Sequence, residues 1–182
     1  NPLPVAGAGQ LNNYQKHCLA WYEALGSLQA PAGVICEQEL SEKGAPQAKI
    51  LIVPYSKYVF PETLAGLKNY VEQGGTAIVC GSSLDYDYMA RPLSAEALLG
   101  VRKKGELPQK LSSSLNIGAD LKFSSFRDIE LVDAETVLTR QDGKPCITQK
   151  TIGKGKVFYV AMEDINTQAA SALFNFLAQK AA

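Results

Sequence analysis

The sequence predicts a single α/β domain built on a mostly parallel sheet. Three features predict this fold class: an apolar run at 48–53, an amphipathic segment that begins at Pro61, and a second apolar run at 76–80. Two buried strands joined by one helix make a right-handed crossover, so the strands are parallel and end at the same edge of the sheet. With 182 residues the chain is long enough for one domain and too short for two.

The N-terminal part adds elements on one side of this unit. Residues 5–8 predict a weak first strand, residues 11–25 a helix, and residues 34–36 the next short strand. The predicted order up to residue 80 is therefore β-α-β-β-α-β. The apolar side of the helix consists of Leu11, Tyr14, Cys18, Trp21, Tyr22 and Leu25.

The central unit is the firmest prediction. Its first strand is rich in β-branched residues and ends at Pro54, which is typical of a strand buried on both faces. Pro61 suits the first turn of the helix, and the glycine pair at 74–75 ends it. Ligand sites in open α/β sheets form where the parallel strands end, so the segments 55–60 and 81–91 are the ones to examine.

The pattern changes after the central unit. Residues 93–99 predict a short helix, with Ser94 as its cap and Gly100 as its stop. Between 110 and 150, apolar and polar residues alternate, as in antiparallel strands with one exposed face. We therefore expect a β-rich insertion at about 101–150.

The C-terminal part predicts a hairpin and a helix. Strand-like runs at 148–152 and 156–160 flank a glycine-containing turn, and residues 165–178 form an amphipathic helix. The run Gly153-Lys154-Gly155-Lys156 lacks the spacing of a phosphate-binding loop and precedes a strand rather than a helix. A hairpin turn is the preferred interpretation.

Composition and charge exclude several partners. Eighteen basic residues balance eighteen acidic ones, so we expect neither a nucleic-acid partner nor an anionic membrane surface. No apolar run approaches the ~20 residues that span a bilayer. The start at Asn1 without methionine predicts a processed protein or a segment of a longer chain. We interpret three acidic residues as a solvated charge cluster: Glu37, Glu39 and Glu42.

The cysteines offer one candidate nucleophile. Cys18, Cys36, Cys80 and Cys146 form no C-x-x-C pair, so we expect no zinc site, no redox motif and no cofactor, and the compartment stays open.

Cys80, at the end of a buried strand, has the best position for a nucleophile. Such a turn needs small residues on both sides, and only Gly81 is small. His17, which we expect to be partly exposed in the first helix, is the only histidine, and 162–164 includes none. We therefore interpret Cys80 as a buried thiol and predict no catalytic residue.

The loop after Cys80 combines carboxylates and tyrosines. Such groups suit a sugar or a cation, but carboxylates two residues apart on a loop define no geometry for glycoside hydrolysis. We interpret the loop as a contact at a subunit or domain interface. A module that binds a small ligand or a glycan at the strand edge stays open as an alternative. The interface loop is Asp85-Tyr86-Asp87-Tyr88, and the alternative binding module would use Tyr55, Tyr58, Asp85, Tyr86 and Tyr88.

Several stretches fit one family pattern in order along nearly the whole chain. They are Trp21-Tyr22-Glu23-Ala24-Leu25, Lys49-Ile50-Leu51-Ile52-Val53-Pro54, residues 67–76, Pro92-Leu93 with residues 98–101, and residues 152–160. Together they resemble the trimerisation domain of glycoside hydrolase family 42 β-galactosidases, a class I glutamine amidotransferase-like fold. The apolar first strand of the family has only a poor counterpart at 4–9.

The resemblance implies a flavodoxin-like three-layer sandwich that lacks catalytic residues, follows a (β/α)8 barrel and packs subunits together as a homo-oligomer, such as a trimer. The catalytic glutamates of the family lie in the barrel, so none is carried over to this chain. The function expected from the resemblance is a non-catalytic accessory domain of a carbohydrate-active enzyme. Two alternatives stay open: the glycan-binding module, and a divergent amidotransferase-type hydrolase that uses Cys80.

Overall fold

The computed structural model describes residues 8–42 and 47–181. The helices are α1 (Ala8–Ser27), α2 (Glu37–Glu42), α3 (Pro61–Glu72), α4 (Glu96–Leu99) and α5 (Thr167–Ala181). The strands are β1 (Ile50–Val53), β2 (Tyr58–Val59), β3 (Thr76–Cys80), β4 (Tyr86–Asp87), β5 (Val101–Asn116), β6 (Asp120–Leu131), β7 (Glu135–Thr139), β8 (Pro145–Ile152) and β9 (Gly155–Val160). None of the described helices is long and apolar enough to cross a membrane.

The main sheet is mixed, with the strand order β1-β3-β9-β8-β7. β1, β3 and β9 run parallel, whereas β8 and β7 add antiparallel neighbours. This confirms the α/β class and the strand–helix–strand unit.

Central strand β3 is buried throughout, but β1 is only half-buried. The prediction of complete burial for β1 is wrong, because β1 is an edge strand among the described residues.

The core lies on both faces of the sheet. Successive side chains of a strand point to opposite faces. In β3, Ile78 and Cys80 belong to a core that includes α1 and α5, whereas Ala77 and Val79 belong to a second core that includes α3. Each large apolar side chain fully buried in these cores contributes about 1.5–3 kcal/mol through the hydrophobic effect. The helices therefore flank the sheet on both sides.

Helix α1 packs through a different face from the predicted one. The buried residues are His17, Ala20, Trp21 and Ala24, whereas Tyr14 and Tyr22 are exposed. The helix carries apolar side chains on more than one face, so periodicity alone could not identify the buried one. Ala24 lies in the same core cluster as Ala169 and Ala170 of α5, and these small side chains allow the two helices to approach closely.

Two predicted N-terminal strands have different outcomes. Residues 34–36 form no strand, and Val34 is 87% exposed. The prediction is wrong because this apolar run leads directly into α2, and the backbone N–H of Cys36 donates a hydrogen bond to the Glu39 carboxylate. The weak strand predicted at 5–8 lies outside the described residues, apart from Ala8, which begins α1.

The acidic residues of α2 are not simply solvated. The Glu37 carboxylate accepts hydrogen bonds from the backbone N–H of Phe60, at 2.8 Å, and from the Thr63 hydroxyl. It therefore satisfies amide and hydroxyl donors at the start of α3, where a helix favours negative charge. The prediction of a solvated cluster is therefore wrong for Glu37 and for Glu39. The side chain of Glu42 lies outside the described residues.

The β-rich region divides into two parts. β5 and β6 form a separate antiparallel ribbon with irregular register, and β7 and β8 extend the main sheet. The prediction of antiparallel strands is confirmed, although only part of the region is an insertion. The predicted hairpin is also confirmed, since Ile152 of β8 pairs with Gly155 of β9, and α5 follows as expected.

Helix α4 is shorter than predicted. It is preceded by Ala95, whose side chain makes no capping hydrogen bond, so the prediction of a Ser94 cap is wrong. Gly100 ends the helix as expected, with a left-handed φ of 69°. Its carbonyl also accepts hydrogen bonds from the backbone N–H groups of residues 132–134, which joins the helix end to the turn after β6.

Candidate functional site

The parallel strands end together at one edge of the main sheet, as predicted. Tyr55 follows β1, Ser82 follows β3 and Glu163 follows β9. The ribbon adds Lys103 from β5 and Arg127 from β6. The ribbon is tied to this edge by backbone, because the N–H of Arg127 donates to the carbonyl of Ala161.

Four charged residues form a buried charge cluster at this edge: Asp85, Lys103, Arg127 and Glu163. Lys103 Nζ donates to Asp85 Oδ1 at 2.8 Å and to the carbonyl of Ser83. Arg127 Nη2 lies 3.1 Å from Asp85 Oδ2. Burial lowers the pKa of Lys103, and the Asp85 carboxylate opposes that change. Asp85 therefore compensates two cations inside the protein.

Glu163 is the second carboxylate of the buried charge cluster. Ser82 Oγ donates to its Oε1 at 2.6 Å, and Oε2 has no hydrogen-bond partner among the described residues. Burial raises the pKa of Glu163, and the hydrogen bond from Ser82 opposes this. A Cβ on Gly81, where φ is 52°, would lie 2.9 Å from the Glu163 carboxyl carbon, so the turn after β3 has room only for glycine.

His17 reaches the same edge from helix α1. It is 6% exposed, which contradicts the prediction of a partly exposed residue. Its ring stacks on Tyr55 with centroids 4.9 Å apart. Burial lowers the pKa of His17 below its usual value. Tyr55 has a left-handed φ of 47°, a strained conformation for a non-glycine residue.

Cys80 is buried, as the sequence predicted, and is 1% exposed. Burial raises the pKa of its thiol, with the nearby Glu163 carboxylate acting in the same direction. A reactive cysteine needs the thiolate form and an electropositive, accessible environment. Cys80 is instead buried and lies near the negatively charged Glu163 carboxylate.

All four cysteines are free thiols, and Cys36 is exposed.

The loop after β4 has a defined internal structure. Asp87 Oδ1 accepts hydrogen bonds from the backbone N–H groups of Met89 and Arg91, each at 2.9 Å. Arg91 Nε donates to Asp87 Oδ2 at 2.6 Å. Burial by itself raises the pKa of the Asp87 carboxyl, but the hydrogen bonds from Arg91 and Met89 outweigh it and hold the pKa below its usual value.

This loop and the residue before α3 present apolar side chains to solvent. Phe60 is 43% exposed, Tyr88 50% and Met89 47%. The rings of Phe60 and Tyr88 are in contact, with centroids 5.3 Å apart. We call Phe60, Tyr88 and Met89 the aromatic knob.

The predicted edge residues therefore separate into groups. Asp85 and Tyr55 lie with the buried charge cluster, and Asp87 organises the loop. The rings of Tyr58 and Tyr86 stack with their centroids 5.5 Å apart, and the Lys57 ammonium lies 5.3 Å from the Tyr86 ring centre.

An open groove of about 380 Å³ lies beside the buried charge cluster. Its wall includes Asp85, Tyr86, Lys103 and Arg127.

The sequence reasoning missed most of the buried charge cluster. Glu163 directly follows the last parallel strand, so the rule that identified the other edge residues could have found it. Lys103, Arg127 and His17 arrive from elements whose position depends on tertiary packing. Within residues 8–42 and 47–181, no three His, Cys, Asp or Glu side chains are arranged to hold a metal ion.

The sequence model of one protein family, described as β-galactosidase trimerisation domain, matches residues 6–182. The chain belongs to this family. The resemblance predicted from the sequence is thereby confirmed. A search of curated proteins found no match for this member of the trimerisation-domain family.

Solved structures share the fold at low sequence identity. A catalytic mutant of Gan42B, a GH42 β-galactosidase from G. stearothermophilus, matches with a TM-score of 0.80 at 21% identity, over 95% of this chain and 27% of that chain. An exo-β-1,4-mannosidase from Opitutaceae bacterium strain TAV5 matches with a TM-score of 0.65 at 15% identity, over 92% and 29%. A cytoplasmic protein from Salmonella typhimurium matches with a TM-score of 0.64 at 13% identity, over 91% and 87%.

The relatives differ in the share of their length that this chain covers. The trimerisation domain spans about a quarter of the β-galactosidases that it matches. The Salmonella typhimurium protein, in contrast, has nearly the same extent as this chain. The fold therefore occurs both within longer enzymes and in a protein of similar size.

Proposed function

We propose that this trimerisation domain assembles the subunits of a β-galactosidase-type glycoside hydrolase and performs no chemistry of its own. The observation that carries the proposal is the state of the sheet edge, where Asp85 is buried between Lys103 and Arg127 and the buried Glu163 accepts a hydrogen bond from Ser82. Membership of the trimerisation-domain family supplies the assembly role. The catalytic part, which the resemblance predicts to be a (β/α)8 barrel, then belongs to the same longer chain.

The groups at the edge lack the access that catalysis requires. A nucleophile needs a base within hydrogen-bond reach and also space for a substrate. Ser82 has the Glu163 carboxylate at 2.6 Å, but the two residues are only 2% and 8% exposed. The Cys80 thiol is buried with a raised pKa, and the buried His17 ring is stacked on Tyr55. These contacts support a scaffold.

The substrate class proposed for the whole protein is a β-galactoside. The family description and the Gan42B match support it. The match to a mannosidase makes a β-mannoside the competing substrate class. Assays of the full-length protein with nitrophenyl β-galactoside and nitrophenyl β-mannoside distinguish the two, and we expect faster hydrolysis of the galactoside.

We further propose that the fold is a flavodoxin-like, class I glutamine amidotransferase-like sandwich. The parallel strands and the helices on both faces of the sheet support this. A crystal structure in which β1, β3 and β9 do not run parallel, or in which the helices cover only one face, would contradict it.

The assembly role is tested on the full-length protein. Analytical ultracentrifugation should give the mass of a trimer, and deletion of this domain should give a monomer that keeps its barrel. The isolated 182-residue chain should not hydrolyse nitrophenyl β-galactoside or glutamine. Hydrolysis by the isolated chain that disappears in Cys80→Ser would establish the amidotransferase-type alternative instead.

A glycan-binding module is the second candidate, favoured by the open groove beside the stacked Tyr58 and Tyr86. Against it, Asp85 and Asp87 already accept hydrogen bonds from neighbouring residues. Calorimetry with a panel of oligosaccharides tests this candidate. Saturable binding that is lost in Tyr86→Ala would support it, and we expect no binding.

A further inference from the structure

We propose that the sheet edge contains a binding site for an organic cation, formed by Asp85 and Glu163, and that the chain closes this site itself with the guanidinium of Arg127. The inference does not depend on the assembly function. It describes the ribbon of β5 and β6 as an internal plug over the position where open α/β sheets bind ligands. Three observations carry it: the seating of Arg127, the charges around it, and the groove beside it.

Backbone pairing seats Arg127 at the edge. The N–H of Glu163 donates to the carbonyl of Ser125 at 3.0 Å, which attaches β6 to the segment directly after β9. Successive side chains of a strand point to opposite faces. Phe126 accordingly packs in the core that includes α1 and α5, whereas the Arg127 guanidinium lies 3.1 Å from Asp85 Oδ2, with its side chain only 5% exposed.

The charges around Arg127 are those of a site for a cation. Asp85 and Glu163 supply two carboxylates and Lys103 supplies one cation, so a second cation is needed to balance the charge. Burial raises the pKa of Glu163, and the hydrogen bond from Ser82 and then the positive charge of Arg127 oppose this rise. Glu163 Oε2 is buried and has no hydrogen-bond partner among the described residues. One of the two carboxylates therefore keeps an unused acceptor.

The groove beside the buried charge cluster gives access to this site. Arg127 and Asp85 both form part of its wall, so truncation of the arginine side chain would open the groove onto the Asp85 carboxylate. Ligand pockets typically combine an apolar wall with a few polar groups. The wall of this groove also contains apolar residues that suit the carbon atoms of a ligand: Leu84, Pro92, Leu93 and Leu99. The ligand class is therefore a guanidinium, the group that Arg127 itself supplies, with an apolar substituent.

The ribbon stays in place without this arginine, because apolar side chains also anchor it. Leu115, Ile117 and Phe123 are buried in the core that includes α1 and α5, whereas Val101 and Ile129 are buried in the core that includes α3. The ribbon is thereby attached on both faces of the sheet. Replacement of the arginine by alanine should therefore leave a folded protein with an unfilled, negatively charged cavity at the edge.

Isothermal titration calorimetry of the purified protein with methylguanidinium tests the site. Arg127→Ala should bind the probe saturably at one site, and wild type, whose site is filled, should not bind it. The matched control is Arg140→Ala, because Arg140 is also buried but its partner Asp142 is 39% exposed, so no enclosed site remains. Addition of Glu163→Gln to Arg127→Ala should weaken binding about tenfold or more, since a neutral acceptor replaces a charged one.

Thermal denaturation gives a second readout. Methylguanidinium at about ten times its dissociation constant should raise the Tm of Arg127→Ala by about 3–5 °C, because a ligand that binds only the folded state stabilises it. The Tm of wild type should not change. Potassium chloride at the same concentration serves as the control for ionic strength.

Saturable binding that is confined to Arg127→Ala supports the internal plug. Absence of binding in an Arg127→Ala protein that circular dichroism shows to be folded would overturn the inference, and so would equal binding by wild type or by Arg140→Ala. Should Arg127→Ala not fold alone, its refolding is compared in methylguanidinium and in potassium chloride of equal concentration. Recovery of folded protein only in methylguanidinium supports the plug, and failure in both salts contradicts it.

Discussion

The buried charge cluster and the aromatic knob lie at the same edge of the sheet but have opposite characters. Asp85 and Tyr88 are three residues apart, yet Asp85 is enclosed between two cations and Tyr88 is half exposed. Open α/β enzymes place substrate at this edge. Here the groups capable of chemistry face inward and bind each other, whereas the groups capable of contact face outward. The difference leads us to expect that the cluster contributes to the stability of the fold and that the knob contributes little to it.

The largest expected effect tests the role of the cluster in stability. Asp85→Ala removes the carboxylate that compensates Lys103 and Arg127, and both cations remain buried. Breaking a buried ion pair from one side costs about 3–5 kcal/mol in the free energy of unfolding. Urea denaturation of the purified protein, followed by circular dichroism, measures the change.

The chain contains a matched control for this substitution. Glu130 also lies between two cations, 3.8 Å from Arg102 and 3.4 Å from Lys104, but its side chain is 48% exposed against 5% for Asp85. Glu130→Ala should change the free energy of unfolding by no more than about 1 kcal/mol, because exposed ion pairs contribute little. Equal losses in the two variants would show that burial does not distinguish the sites.

A smaller effect is expected at Cys80, beside the cluster. Cys80→Ser places a hydroxyl in a closed apolar environment and should lower the free energy of unfolding by about 1–3 kcal/mol. Cys36→Ser, at an exposed position, should be within about 0.5 kcal/mol of wild type.

Thiol labelling gives an independent measurement of the same difference. In the native protein a maleimide should modify Cys36 quickly and Cys80 only as fast as the protein unfolds. Rapid labelling of native Cys80 would contradict the burial of this residue and would reopen its role as a nucleophile.

The contrast between cluster and knob also explains what the sequence could predict. The unit from β1 to β3 and the β8–β9 hairpin were predicted correctly because their signals, apolar runs bounded by proline or glycine, are local. The family resemblance was confirmed for the same reason, since it rests on short stretches in a fixed order.

Features that depend on tertiary contacts were predicted poorly. The run at 34–36 has the composition of a strand but pairs with no strand among the described residues. His17 lies on a helix with several apolar faces, and only the packing of α1 on α5 determines which one is buried. Lys103 and Arg127 come from the ribbon, whose position over the sheet edge leaves no local signal in the sequence.

A pH-dependent effect is expected at Glu163. Its pKa in the folded protein is raised above the unfolded value of about 4.3, so the native state binds more protons between these two pKa values. The contribution of the Glu163 carboxyl to the free energy of unfolding is therefore fully present below the unfolded pKa and is lost as pH rises through the folded pKa. Glu163→Gln, which can still accept the Ser82 hydrogen bond, should remove this decline. At pH 8 the variant should gain about 1.4 kcal/mol for each unit by which the pKa is raised.

Denaturation curves at pH 4, 6 and 8 measure this gain, with Glu130→Gln as the control. Glu130→Gln removes a carboxylate that is 48% exposed, and it tests whether the loss of any acidic side chain would give the same gain. The free energies of unfolding of Glu163→Gln and wild type should differ more at pH 8 than at pH 4. If they do not, the environment of the Glu163 carboxyl does not favour its protonated form.

The smallest expected effect on stability concerns the knob and completes the comparison. In the isolated domain, Tyr88→Ser removes a half-exposed ring that contacts Phe60, so the free energy of unfolding should change by no more than about 0.5 kcal/mol. Urea denaturation of the variant beside Asp85→Ala measures the difference between the two regions. A loss of 2 kcal/mol or more in the isolated domain would place Tyr88 with the core and remove the distinction between knob and cluster.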